Sequence, residues 1–74
     1  MRQAKTDSVL LWRARGRVRG HFREVRCTVE QLAECFFELR LLSGDELLFT
    51  EPFEDTGKLL SRSEQLRAEV QATA

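Results

Sequence analysis

Residues 28–42 read TVEQLAECFFELRLL, and two periodicities compete for them. Thr28-Val29-Glu30-Gln31 has the spacing of a helix capping box, and Val29, Leu32, Ala33, Phe36 and Phe37 recur at helical intervals, with Gly44 beyond them as a stop. That reading makes residues 29–42 an amphipathic helix. Read by twos, Cys35, Phe37, Leu39 and Leu41 share one side of a strand over 35–42, preceded by a loop from Glu30 to Glu34. The strand is the preferred reading, with the helix as its rival. FFELRLL is rich in aromatic and apolar residues in the right alternation, and a helix here would leave the charges of the preceding hairpin without neighbours.

That hairpin lies just upstream, in WRARGRVRGHFREVR (residues 12–26). Leu10, Trp12, Ala14, Gly16 and Val18 alternate with Arg13, Arg15, Arg17 and Arg19, the period of a half-buried strand over 9–19. The alternation resumes in a second strand over 22–29, with Val25, Cys27 and Val29 facing inward. A type II′ turn at Gly20-His21 would join them, because such a turn takes glycine at its first central position. This register sets Trp12 opposite Val29, Ala14 opposite Cys27, Gly16 opposite Val25 and Arg17 opposite Glu24. The next pairing sets Val29 by Cys35, Cys27 by Phe37 and Arg26 by Glu38. Both cysteines then point into the core as free thiols, diagonal to one another and beyond disulfide reach.

Downstream, Ser43-Gly44-Asp45 signals a turn into a strand over 46–53, where Leu47 and Phe49 would face Leu41 and Leu39. Leu59, Leu60, Leu66 and Val70 form one stripe of a helix over 56–72, capped by Asp55 or Thr56. A sheet with one apolar face needs a cover, and this helix is the element available. The expected fold is therefore α+β: a four-stranded antiparallel meander covered on one face by a C-terminal helix. It is a single domain over 1–74, with 1–7 and 72–74 as loose ends.

A chain of 74 residues has room for only a thin core, so help from a second copy is a reasonable expectation. Net charge is zero but unevenly spread, +6 over residues 1–26 and −6 over 27–74. The start carries only a short apolar run, which predicts a cytoplasmic protein without a membrane span. Cysteines in that compartment are expected to stay reduced.

No catalytic, cofactor or metal motif stands out. His21, Cys27 and Cys35 lack metal-ligand spacing, and they offer no Cys-His pair in an evident arrangement for nucleophilic catalysis. Glu51, Glu54 and Asp55 read as loop and helix-start residues. The expectation is a small non-enzymatic interaction domain that binds a protein partner or a second copy of itself. Its candidate partner surface is the apolar fringe that strict alternation places outside the sheet: Leu11, Phe36, Leu42 and Leu48. The alternative is nucleic-acid binding, with Arg13, Arg15, Arg17 and Arg19 contacting phosphates.

Overall fold

The computed structural model describes residues 8–74. Its elements are β1 (Ser8–Val18), β2 (His21–Ala33), β3 (Phe36–Ser43), β4 (Glu46–Phe53) and α1 (Thr56–Ala72). The strands form one antiparallel sheet in the order β1-β2-β3-β4, and α1 packs on one face of it. The domain is α+β, with a least dimension of 15 Å that leaves room for two layers and no more. Among the described residues no helix is long and apolar enough to cross a membrane. The expected loose end at 1–7 lies outside the described residues.

The contested segment is strand on both sides of a turn at Glu34-Cys35. Its cross-strand neighbours explain why. Val29 meets Leu39, Cys27 meets Leu41, and Thr28 meets Arg40, so β3 gives β2 its second partner. A helix over 29–42 would leave β1 and β2 as a two-stranded hairpin, which is marginal on its own in water.

All three registers differ from the simplest alternation. In the first hairpin the turn is Arg19-Gly20, with φ of 52° and 82°, the signs of a type I′ rather than a type II′ turn. The type I′ turn matches the right-handed twist of the flanking strands, and Gly20 takes one of its two positive φ angles without a Cβ penalty. β2 consequently sits two residues from the expected register, with Trp12 opposite Cys27, Ala14 opposite Val25 and Arg15 opposite Glu24. In the second hairpin β2 runs on to Ala33 instead of ending near residue 29. Cys35 is therefore an exposed turn residue and not a core thiol, while Cys27 is fully buried. In the third hairpin Leu41 meets Phe49 rather than Leu47.

Three leucines interrupt the pairing, each as the extra residue of a β-bulge: Leu11 in β1, Leu32 in β2 and Leu48 in β4. Leu11 precedes Trp12 and Leu48 precedes Phe49, and strict alternation would expose one residue of each pair. The bulges allow both members to pack against the core. Leu11 and Leu48 are thus withdrawn from the outer apolar fringe.

The inner face is formed by Trp12, Ala14, Val25, Cys27, Leu39 and Leu41, against which α1 packs Leu59 and Leu66. Asp55 starts the helix by accepting from the backbone N–H groups of Gly57 and Lys58. Arg62 ties its first half to β4, donating from Nε to Glu51 Oε1 at 3.1 Å and lying over the Phe49 ring. In the middle, the Trp12 indole N–H donates to Ser63 Oγ at 2.9 Å within the core. At the far end the last turn rests on Gly16, where an added Cβ would lie 2.5 Å from Val70 O and from Thr73 Oγ1. Thr73, in the tail expected to be loose, donates its hydroxyl to Val70 O and accepts from Arg17 N–H.

Ser63→Ala is expected to cost about 1–3 kcal/mol in urea denaturation, because the buried Trp12 N–H loses its acceptor. Adding Trp12→Phe should recover part of that loss in a double-mutant cycle. Gly16→Ala is expected to destabilise by about 1–3 kcal/mol through overpacking against the last turn of α1, read as a lower urea midpoint at unchanged slope.

Candidate functional site

β1 is the first strand of the sheet and, among the described residues, has a neighbour on one side only. Trp12, Ala14 and Gly16 are buried beneath the helix, so the alternating Arg13, Arg15 and Arg17 stand on the opposite, uncovered face. All three are exposed, and among the described residues none has a carboxylate within ion-pair distance. Arg13 has Arg26 as its cross-strand neighbour. Arg15 has Glu24, but its guanidinium lies over the Phe22 ring, 4.9 Å from the centroid.

The other arginines near this face are engaged. Arg19 belongs to the turn, not to the row, and its guanidinium pairs with Glu46 at the start of β4. Arg26 donates to Gly44 O at 2.6 Å, holding the turn between β3 and β4. Arg40 bridges Glu38 at 2.6 Å and lies 2.7 Å from Glu30 Oε1, an ion pair that lacks hydrogen-bond geometry. Arg40 at the centre of the outer face is therefore ion-paired, whereas the β1 margin carries three cations that have no ion pair among the described residues. Phe22 is half exposed but covered by Arg15.

The expected apolar fringe is divided. Leu42 is half-buried and pairs with Leu47, which is exposed. Phe36 is exposed beside the turn at Glu34-Cys35. Sequence reasoning missed Val9 and Leu10, which are 55% and 44% exposed on the same strand as the arginines. The doublet Leu10-Leu11 before Trp12 was the available signal: three apolar residues in a row break strict alternation.

The candidate chemical groups are dispersed. His21 begins β2, Cys27 lies at its buried centre, and Cys35 occupies the turn beyond its other end. Burial pushes the Cys27 thiol above its ordinary pKa, opposed by its contact with Ser63 Oγ at 3.8 Å. Glu51 holds Arg62, and Asp55 caps α1. A groove of about 390 Å³ opens between the second half of α1 and the sheet, with Val18, Val25, Leu41, Leu48, Leu66 and Val70 among its walls. At its rim Arg19 is paired with Glu46, and Thr73 bonds to β1 and to its own helix.

The chain matches no known protein family, no curated protein and no solved structure, which leaves its own surfaces as the ground for a function.

Iodoacetamide at about pH 8 is expected to alkylate Cys35 rapidly and Cys27 only as fast as the domain opens, since the thiolate is the reactive species. Peptide mapping after short exposure should recover one labelled cysteine. Cys35→Ser should then abolish the fast phase.

Proposed function

We propose that this domain is a non-enzymatic binding module and that its working surface is the outer margin of β1, which engages a protein partner. The observation that carries the reading is the row of Arg13, Arg15 and Arg17, exposed on an edge strand and, among the described residues, without an ion pair, whereas Arg19 and Arg40 are ion-paired. Unpaired cations on an edge discourage self-pairing of that edge. They also make it selective for an anionic partner, because complementary charge raises the encounter rate and like charge rejects the wrong partner. Val9 and Leu10 add exposed apolar area at one end of the same strand, giving the mixed apolar and polar composition of a protein interface.

Nucleic acid is the second reading, favoured by the same arginines. Two features weigh against it. Glu24 stands opposite Arg15 within the row, and Phe22 is covered by a guanidinium instead of offering its ring to a base. Self-association through two copies of β1 in an antiparallel pair would oppose arginine to arginine, which is destabilising in cross-strand pairs.

Panning a random peptide library on the immobilised domain tests the reading. Ligands are expected that bind the wild type and lose affinity for the triple variant Arg13→Glu, Arg15→Glu, Arg17→Glu. Ligands indifferent to that variant would move the working surface elsewhere. Duplex DNA, single-stranded DNA and RNA should give no complex near physiological salt. A complex whose affinity falls with log salt at a slope of about −0.7 to −0.9 per phosphate would establish the nucleic-acid reading instead.

A further inference from the structure

We infer that the margin of β1 receives an extended acidic segment of the partner as a fifth strand, with carboxylates at alternate positions meeting Arg13 and Arg15, and with Thr73 marking where the added strand stops. This rests on the binding role proposed above and specifies the partner's chemistry.

The backbone directions follow from one hydrogen bond. Arg17 N–H donates to Thr73 Oγ1 at 2.8 Å, so it points away from β2. In an antiparallel pair the backbone groups of successive residues alternate in direction, and the pairing from Arg13 to Val18 is uninterrupted. The N–H and C=O groups of Arg15 and Arg13 therefore point to the same open side as those of Arg17. The Arg17 donor is already occupied, whereas the groups of Arg13 and Arg15 face no other strand among the described residues. An incoming strand would satisfy them as an added ladder, the general mode of strand addition.

The opposite edge is a poorer acceptor. Each edge strand carries a bulge, at Leu48 in β4 and at Leu11 in β1, but β4 also carries Pro52, which lacks a donor, whereas β1 pairs regularly from Trp12 to Val18. At β1, residues of an added strand directly opposite Arg13 and Arg15 would lie on the same outer face as those guanidinium groups. Carboxylates there find cations that hold no ion pair among the described residues, with Glu24 standing opposite Arg15 as the one cross-strand competitor. The alternate residues of the segment would turn toward the helix side, beside Ala14 and Trp12. Thr73 sits over the margin at Arg17 and so fixes the register: the segment runs alongside Arg13 and Arg15 toward Val9 and Leu10 and ends before Arg17. A nucleic-acid backbone matches the cations but cannot supply donors and acceptors in strand alternation. A second copy of β1 supplies the ladder but brings the wrong charge.

The test uses acetylated peptides of alternating glutamate and valine. Controls replace glutamate by lysine or group the glutamates together at unchanged composition. With the alternating acidic peptide, amide exchange at Arg13 and Arg15 is expected to slow at least about tenfold, with Arg17 unchanged because its donor is already satisfied. Arg13→Gln with Arg15→Gln should raise Kd by about fivefold to tenfold, as expected for two cross-strand charge pairs. Thr73→Val should extend the protection to Arg17. A peptide that shifts β1 resonances without slowing exchange at Arg13 and Arg15, or equal binding of the lysine or grouped controls, overturns strand addition while leaving β1 as a binding surface. If neither these peptides nor panned ligands perturb β1, both readings fall. Protection of the same amides by RNA but not by peptide also overturns the inference.

Discussion

The hydrogen bond from the Trp12 indole to Ser63 fixes where the single helix can lie. A buried indole N–H without an acceptor carries most of its desolvation cost, and α1 supplies the oxygen through Ser63. Once Ser63 stands over Trp12 and Cys27, Arg62 on one side of it reaches Glu51 in β4, and the last turn on the other side arrives at Gly16 in β1. The helix is thereby stretched diagonally over the sheet. A larger residue at position 16 would hold its end away, and Thr73 would no longer reach the β1 margin.

This placement makes the two faces of the sheet unequal. The inner face spends the apolar residues of all four strands under one helix, and a core of this size has few to spare. The β-bulges at Leu11 and Leu48 bring two further leucines into it. The outer face is left to polar chemistry. At its centre Arg40 pairs with both Glu30 and Glu38, while Arg26 is used on the turn at Gly44. Among the described residues Arg13, Arg15 and Arg17 stand without an ion pair on β1, where these cations and an unpaired backbone edge coincide. A binding role at that margin rests on this coincidence more than on the number of arginines.

The edges are managed differently. Both edge strands carry a bulge, but β4 also carries a proline, which lowers its capacity to extend the sheet. β1 is guarded by like charge along Arg13, Arg15 and Arg17 and, at its end, by Thr73. Charge is a conditional guard: it rejects a copy of itself and admits a strand of opposite sign. The apolar groove beneath the second half of α1 lacks such a selective feature, since the polar contacts at its rim already serve the fold.

The kinds of element, their order and the faces of most side chains were legible in the sequence, because period-two and helical spacing report on which side a residue lies. The arginines at 13, 15 and 17 were placed on the solvent face for that reason, and the structure has them there. Register was not legible. A slip of two or four residues preserves every inside and outside assignment, so alternation cannot distinguish Trp12 opposite Val29 from Trp12 opposite Cys27. Turn geometry at Arg19-Gly20 and the strand partners of Val29 decided it, and Cys35 moved from the expected core to a turn as a consequence. The bulges at Leu11 and Leu48 escaped for the complementary reason: each is a slip of one, which reverses the face locally and becomes favourable only when a core is present to receive both leucine and its aromatic neighbour. The sequence by itself determined a meander with one helical cover and a cationic first strand. Only the tertiary structure decided which cations would stay unpaired and which edge would stay open, because both depend on what the fold brings alongside them.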